Sequence, residues 1–178
     1  MKKSKPSILI SPKYLPIATE SSRYFVVTGG RGSSKSFSVT AILTLLTCQP
    51  GHTILFTRYT MVSTLISIIP EFLEKIEIMG LEDMFTVTKS EIVNIETGSK
   101  ILFRGIRTSS GDQSANLKSL QGITCWIIEE AEELVDEDVF DKIDLSVRQK
   151  GIQNRVILVM NPATKEHWIY KRFFQETG

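Results

Sequence analysis

Tyr24-Phe25-Val26-Val27-Thr28 runs straight into Gly29-Gly30-Arg31-Gly32-Ser33-Ser34-Lys35-Ser36, and the fold of this chain is decided there. The first five residues are β-branched or aromatic and end at a glycine pair, as a buried strand feeding a tight turn does. From Lys35 to Thr47 the chain is apolar on most sides, which predicts a buried helix stopped by Pro50 and Gly51. Strand, glycine-rich loop, Lys-Ser and helix in that order nearly satisfy the phosphate-loop pattern of Gly, four residues, Gly, Lys, then Ser or Thr. One position departs, since Ser34 stands where the second glycine belongs. Glycines let successive N–H groups turn inward around phosphate oxygens, at a helix N-terminus whose partial positive charge favours an anion. Gly29, Gly30, Arg31, Gly32, Ser33 and Ser34 are the candidate cradle, Lys35 a point charge for the outer phosphates, and the Ser36 hydroxyl a magnesium ligand. A side chain at Ser34 crowds the phosphate wherever the backbone must approach it closely.

A second stretch, Thr124-Cys125-Trp126-Ile127-Ile128-Glu129-Glu130-Ala131-Glu132-Glu133, is an apolar strand followed at once by acids. That order puts carboxylates at the C-terminal edge of the sheet, where ligands bind in open α/β folds. Glu129 is the candidate magnesium ligand, directly or through water, and Glu130 the candidate base that orients and deprotonates the attacking water. Acids also favour the first turn of a helix, and it is the phosphate loop upstream that gives these their chemical reading. Asn161-Pro162 closes the last apolar run. Its carboxamide either contacts a γ-phosphate or the lytic water, or simply starts a turn.

The remaining pattern alternates strand and helix. Strands are expected at 53–57, 85–88, 91–95, 100–103 and 156–160, with a hairpin through Thr97-Gly98 joining the third and fourth of these. Leu65, Ile68, Ile69, Phe72, Leu73 and Ile76 recur at helical spacing, with Pro70 as a kink or break and Gly80 as a stop; a second amphipathic helix is expected at 137–148. The polar run 108–114 reads as a loop. The sum is an α/β domain with a mostly parallel sheet flanked by helices.

At 178 residues the chain holds one domain, and at 42% hydrophobic it can bury a core. Twenty-one Lys and Arg against 20 Asp and Glu exclude a uniformly basic nucleic-acid coat but not a local patch. Cys48 and Cys125 make neither a zinc site nor a disulfide framework, and His52 and His167 have no partner at metal-ligand spacing. The apolar run after the basic start is too short for export, and none approaches the roughly 20 residues of a membrane span. A soluble protein without membrane association is expected.

Arg23-Tyr24, GGRGSSKS at 29–36, CWIIEEAE at 125–132 and Met160-Asn161-Pro162, in that order and approximate spacing, resemble the N-terminal ATPase domain of the large terminase subunit of tailed bacteriophages. The resemblance spans nearly the whole chain and implies a phosphate-loop NTPase of the additional-strand, catalytic-glutamate type with a small β-hairpin insertion. It implies ATP and Mg²⁺ as cofactors and hydrolysis that drives double-stranded DNA into a procapsid. The partners implied are the portal protein, the small terminase subunit and further copies of the chain in a docked ring, in the bacterial host cytoplasm. It also implies that residues 1–178 are the ATPase domain alone, without the nuclease domain that follows in full-length members, so no DNA cleavage is expected. Arg31 resembles the family's loop arginine at the γ-phosphate, and Asn161 falls at the nucleotide sensor position. Lys118 is a candidate for acting on a neighbouring subunit's nucleotide. Lys165, Lys171 and Arg172 are candidate DNA contacts, although Trp168, Ile169, Phe173 and Phe174 among them favour an amphipathic helix packed on the domain. Two other classes fit the loop: a small-molecule kinase, which usually lacks the adjacent glutamate and carries an arginine-rich lid, and a non-hydrolysing nucleotide-binding switch.

Overall fold

The strand that carries the glycine-rich loop lies at one edge of a single sheet. A computed structural model describes residues 7–60, 64–108, 111–112, 117, 120–162 and 164–175. Its strands are β1 (Tyr24–Thr28), β2 (Thr53–Thr60), β3 (Phe85–Val87), β4 (Glu91–Asn94), β5 (Lys100–Thr108), β6 (Gly111–Asp112), β7 (Cys125–Glu129) and β8 (Arg155–Met160). They lie in the order β1-β8-β7-β2-β5-β4-β3, with β6 folded back on β5. β1, β8, β7, β2 and β5 run parallel, and β3, β4 and β6 are antiparallel additions. This is the expected α/β phosphate-loop architecture with its hairpin insertion.

Side chains alternate across the parallel strands, so each strand feeds two cores. Ile54, Phe56, Cys125 and Ile127 face a layer formed by α2 (Lys35–Thr47) and α3 (Ile69–Ile78); Leu55, Trp126 and Ile128 face α4 (Glu137–Asp144) and the C-terminal segment. Phe72 packs edge-on against Phe56 and Phe103 in the first layer, while Phe140 sits between Trp126 and Trp168 in the second. The buried Trp126 indole N–H donates to Thr57 Oγ1 (2.9 Å), whose hydroxyl donates to the Ile127 carbonyl (2.8 Å), so the one polar atom of the ring is satisfied.

Several boundaries differ from the expected ones for identifiable reasons. The segment from 64 begins as a π-turn, Thr64–Ile68, and Pro70 occupies the second position of α3, where its missing N–H costs nothing; it starts the regular helix rather than kinking it. Gly80 stops it as expected: at φ 64° it lets Leu81 N donate to the Ile76 carbonyl and its own N–H to that of Glu77. The helix expected at 137–148 ends at Asp144, where the chain tightens into i→i+3 turns (Ser146 N–H to the Ile143 carbonyl, Val147 N–H to that of Asp144), and Arg23, just before β1, also donates to the carbonyls of Asp144 and Val147 (3.1 and 2.9 Å). The expected strand 100–103 continues to Thr108 and pairs with Gly111–Asp112, so the run read as a loop is in its described part a hairpin arm. The C-terminal residues form α5 (Trp168–Tyr170) and a π-turn, Lys171–Gln175, docked by the buried Trp168 and Ile169. Cys125 is fully buried, and burial pushes its thiol up to about 12.

Candidate functional site

Parallel pairing brings the C-terminal ends of β1, β8, β7 and β2 together. Thr28 lies beside Met160, Glu129 beside Val159, and Thr57 beside Ile128, so the next residues along, Gly29, Asn161, Glu130 and Arg58, rim one cleft. The cleft is a cavity of about 380 Å³ lined by residues 30–37, Arg58, Glu129, Glu130, Glu132 and the end of β8.

The loop is shaped by close approach and by left-handed backbone. A β-carbon at Gly29 would meet Ser33 Oγ at 2.8 Å, which only glycine avoids, and Gly32 sits at φ 77°. Ser34 also takes the left-handed region, at φ 60°, a conformation that costs a non-glycine residue about 1 kcal/mol or more. The residue replaced by serine is thus at a position where glycine is conformationally preferred. Ser34 precedes α2 and its side chain makes no capping hydrogen bond. The first-turn N–H groups of α2 therefore keep their donors and partial positive charge for an anion. The Lys35 ammonium folds back on the loop, donating to the Gly29 carbonyl, the Gly30 carbonyl (3.1 Å) and Ser33 Oγ (3.3 Å). From the other side the Tyr14 hydroxyl donates to the Ser33 carbonyl at 2.7 Å, pinning the loop to the turn at Pro12–Tyr14.

Opposite the loop stand the acids. Glu129 is the last residue of β7, its side chain 8% exposed, and Ser36 Oγ donates to its Oε1 at 3.1 Å. Two adjacent ligands at about 2.1 Å on an octahedral magnesium ion lie about 3 Å apart, so the Ser36–Glu129 pair has a spacing that would suit that ion. Oε2 of Glu129 is buried, accepts no hydrogen bond among the described residues, and meets Arg58 Nε as an ion pair at 2.8 Å. Glu130 sits at φ 54°, a second left-handed non-glycine residue, and accepts from Arg58 Nη2 at 2.6 Å. Glu132, two residues on, accepts from Asn161 Nδ2 at 2.9 Å and from the Asn161 backbone N–H at 3.3 Å. The Asn161 carboxamide is thereby held on the cavity wall by an acid.

Of the sequence-predicted site residues, Gly30, Arg31, Gly32, Ser33, Ser34, Lys35, Ser36, Glu129, Glu130 and Asn161 all line the cavity, with Arg31 exposed at its mouth and Gly29 anchoring the loop. Lys118 lies outside the described residues. Arg172 is tied to Asp141 (2.6 Å) and Glu137 (3.1 Å) on α4. The pairing holds Arg172 against α4 and leaves it partly exposed, with side-chain exposure of 28%. Sequence reading missed Arg58 and Tyr14. Arg58 was visible as one basic residue closing an apolar strand, and parallel pairing next to β7 makes it meet Glu129.

Burial pushes the Glu129 carboxyl up to about 7, against the pull of Arg58 and the Ser36 hydrogen bond. Because this folded value exceeds the ordinary 4.5, ionising Glu129 costs stability: its contribution is full below pH 4.5 and is lost as pH rises through about 7. In metal-free buffer Glu129→Gln removes the effect, so the parent should lose about 2 kcal/mol relative to the variant between pH 5.5 and 8. Urea denaturation of both proteins at the two pH values measures it. The comparison cancels His52, whose lowered pKa, caused by burial, runs the other way.

A sequence model of the family described as phage terminase large subunit matches residues 21–177. The chain belongs to that family. The large terminase subunit of Bacillus phage SPP1 is 28% identical over 190 residues, covering 97% of this chain and 43% of that protein, so this terminase chain spans less than half the length of that relative. Its fold matches the large terminase of a thermophilic bacteriophage in complex with ATP-γ-S, with a TM-score of 0.71 at 10% identity, covering 94% of this chain and 42% of that one. It also matches the ATPase domain of the Thermus phage P74-26 large terminase, with a TM-score of 0.68 at 16% identity, covering 95% and 74%. At these identities the likeness of the terminase structures speaks for the fold.

Proposed function

We propose that this chain binds ATP with Mg²⁺ and hydrolyses it as the motor domain of a large terminase, driving double-stranded viral DNA into a procapsid. The observation that carries the reading is the convergence of Lys35, Ser36, Glu129 and Glu130 on one cavity at the strand ends, in a chain of the terminase family. The N-terminus of α2 and the loop N–H groups receive the β- and γ-phosphates, and Lys35 leaves its carbonyl partners to charge-pair with them. Ser36 and Glu129 hold Mg²⁺, which when bound neutralises charge on the phosphate oxygens. Glu130 accepts a proton from the attacking water, once its carboxylate is turned from Arg58. Arg31 at the mouth meets the γ-phosphate, and the Asn161 carboxamide, held by Glu132, contacts the same phosphate or the lytic water and so reports whether the nucleotide is intact.

The same reading gives the domain its partners: DNA, the portal protein, the small terminase subunit and neighbouring copies in a docked ring, one of which donates a basic residue, with Lys118 our candidate. The setting is the host cytoplasm; no helix among the described residues is long and apolar enough to cross a membrane. We also propose that residues 1–178 do not cut DNA, since a two-metal nuclease needs a carboxylate cluster and the acids near Glu129 serve the nucleotide. Steady-state phosphate release with and without linear double-stranded DNA, with the DNA run on a gel afterwards, tests these statements. Release that needs Mg²⁺ and ATP supports the ATPase reading, and its absence under every condition leaves a nucleotide-binding switch. Cleavage that copurifies with the protein and vanishes on mutating one of its acids contradicts the nuclease statement.

A further inference from the structure

Arg58 holds both site carboxylates, and this creates a conflict. A guanidinium 2.8 Å from Oε2 of Glu129 competes with a divalent cation at Oε1, because the two positive groups repel across one carboxylate and each draws charge from it. Arg58 therefore needs a second acceptor within reach. Its Nη1 already donates to Ser67 Oγ at 3.0 Å. The π-turn holding Ser67 runs directly into α3, so Glu71, four residues on, stands on the same face one turn away. Glu71 Oε2 is buried and accepts no hydrogen bond among the described residues, an arrangement that costs free energy until a donor arrives. Burial pushes the Glu71 carboxyl up, and Lys75 and Arg58 pull it down. Lys75 is committed elsewhere: its ammonium pairs with Glu74 and lies 4.2 Å over the Phe37 ring.

We propose that Glu71 is a positioning residue for Arg58, receiving its guanidinium when a divalent cation takes Glu129 and so setting how readily the cation enters and how Glu130 is released. The inference rests on the nucleotide site proposed above. Without Glu71, Arg58 keeps its grip on the Glu129–Glu130 pair and the cation must compete harder.

Titrating Mg²⁺ into the full chain with a fluorescent ADP analogue tests this. Glu71→Gln should raise the Mg²⁺ concentration for half-maximal response roughly tenfold, the scale of coupling between contacting groups, and leave ADP affinity in EDTA unchanged; Glu71→Asp should restore the parent value in part. In an Arg58→Gln background the Glu71→Gln change should have no further effect. An unchanged Mg²⁺ response in Glu71→Gln overturns the proposal, and so does an equal shift with and without Arg58, which would mean that the charge of Glu71 acts directly on the cation. Should Arg58→Gln fail to fold, a crystal structure of the parent with Mg²⁺ and ADP decides it. Arg58 within ion-pair distance of Glu71 supports the inference, and Arg58 still on Glu129 refutes it. A parent that binds no ADP at all would remove the site reading and this inference with it, a result distinct from ADP binding with a Glu71-independent Mg²⁺ response.

Discussion

Replacing Lys35 by alanine abolishes ATP binding and turnover together. The ammonium is the one full positive charge on the inner wall of the loop, and it is held there by the Gly29 and Gly30 carbonyls and Ser33 Oγ, so little reorganisation separates it from a phosphate. Each charge-assisted hydrogen bond contributes about 1.5–3 kcal/mol. Losing two leaves a weakening of roughly 10²- to 10⁴-fold, enough to put a micromolar ligand beyond ordinary titration. Equilibrium binding of a fluorescent ATP analogue measures it, beside a thermal melt to show that the loop still folds. Parent-like affinity in Lys35→Ala would sink the phosphate-loop reading, since of the other two cations lining the cavity Arg58 is held by two carboxylates and Arg31 is exposed at the mouth.

Replacing Glu130 by glutamine separates binding from chemistry. The amide keeps the size of the side chain and an oxygen for the Arg58 Nη2 donor now at 2.6 Å, so the cavity survives. It removes the basic oxygen, and general-base assistance contributes roughly 10²- to 10⁴-fold in rate. Single-turnover hydrolysis should fall by that factor while ATP affinity stays within a few-fold of the parent. If turnover is unchanged, the base is another acid, and Glu132 is next. Its Oε1 is occupied by Asn161, but its Oε2 is buried and accepts no hydrogen bond among the described residues.

The parts of the site that the sequence made legible are those fixed by local chemistry. The phosphate loop and the helix Lys35–Thr47 follow from glycine spacing and a run of buried side chains, and the acid at the end of β7 follows from an apolar strand stopping at a charge. What stayed hidden depends on neighbours far along the chain. Arg58 has no meaning in TILFTRYT until β2 is known to lie beside β7. The carbonyls at the end of α4 are bound by Arg23, more than a hundred residues earlier, a partner that the local sequence does not show. Thr108 and Gly111–Asp112, within the polar run read as a loop, pair through backbone groups alone, so composition does not reveal the hairpin. The left-handed backbone at Ser34 and Glu130 was equally unreadable, because both residue types normally avoid it.

The sheet order also dictates a timetable. β1, which carries the glycine-rich loop, comes before the other described strands in the chain, yet among the described residues its ladder partner is β8, with Tyr24 opposite Val156. Pairings this distant in sequence slow folding, because chain entropy must be lost before the contact repays it. At roughly 5–20 residues per second on the ribosome, β1 waits on the order of 10 s for its partner to emerge. During that interval an apolar strand with open hydrogen-bonding edges is the segment most available to chaperones, or to the same strand on another nascent chain. The loop proposed to bind nucleotide is therefore among the last parts to be locked in place as the protein is made.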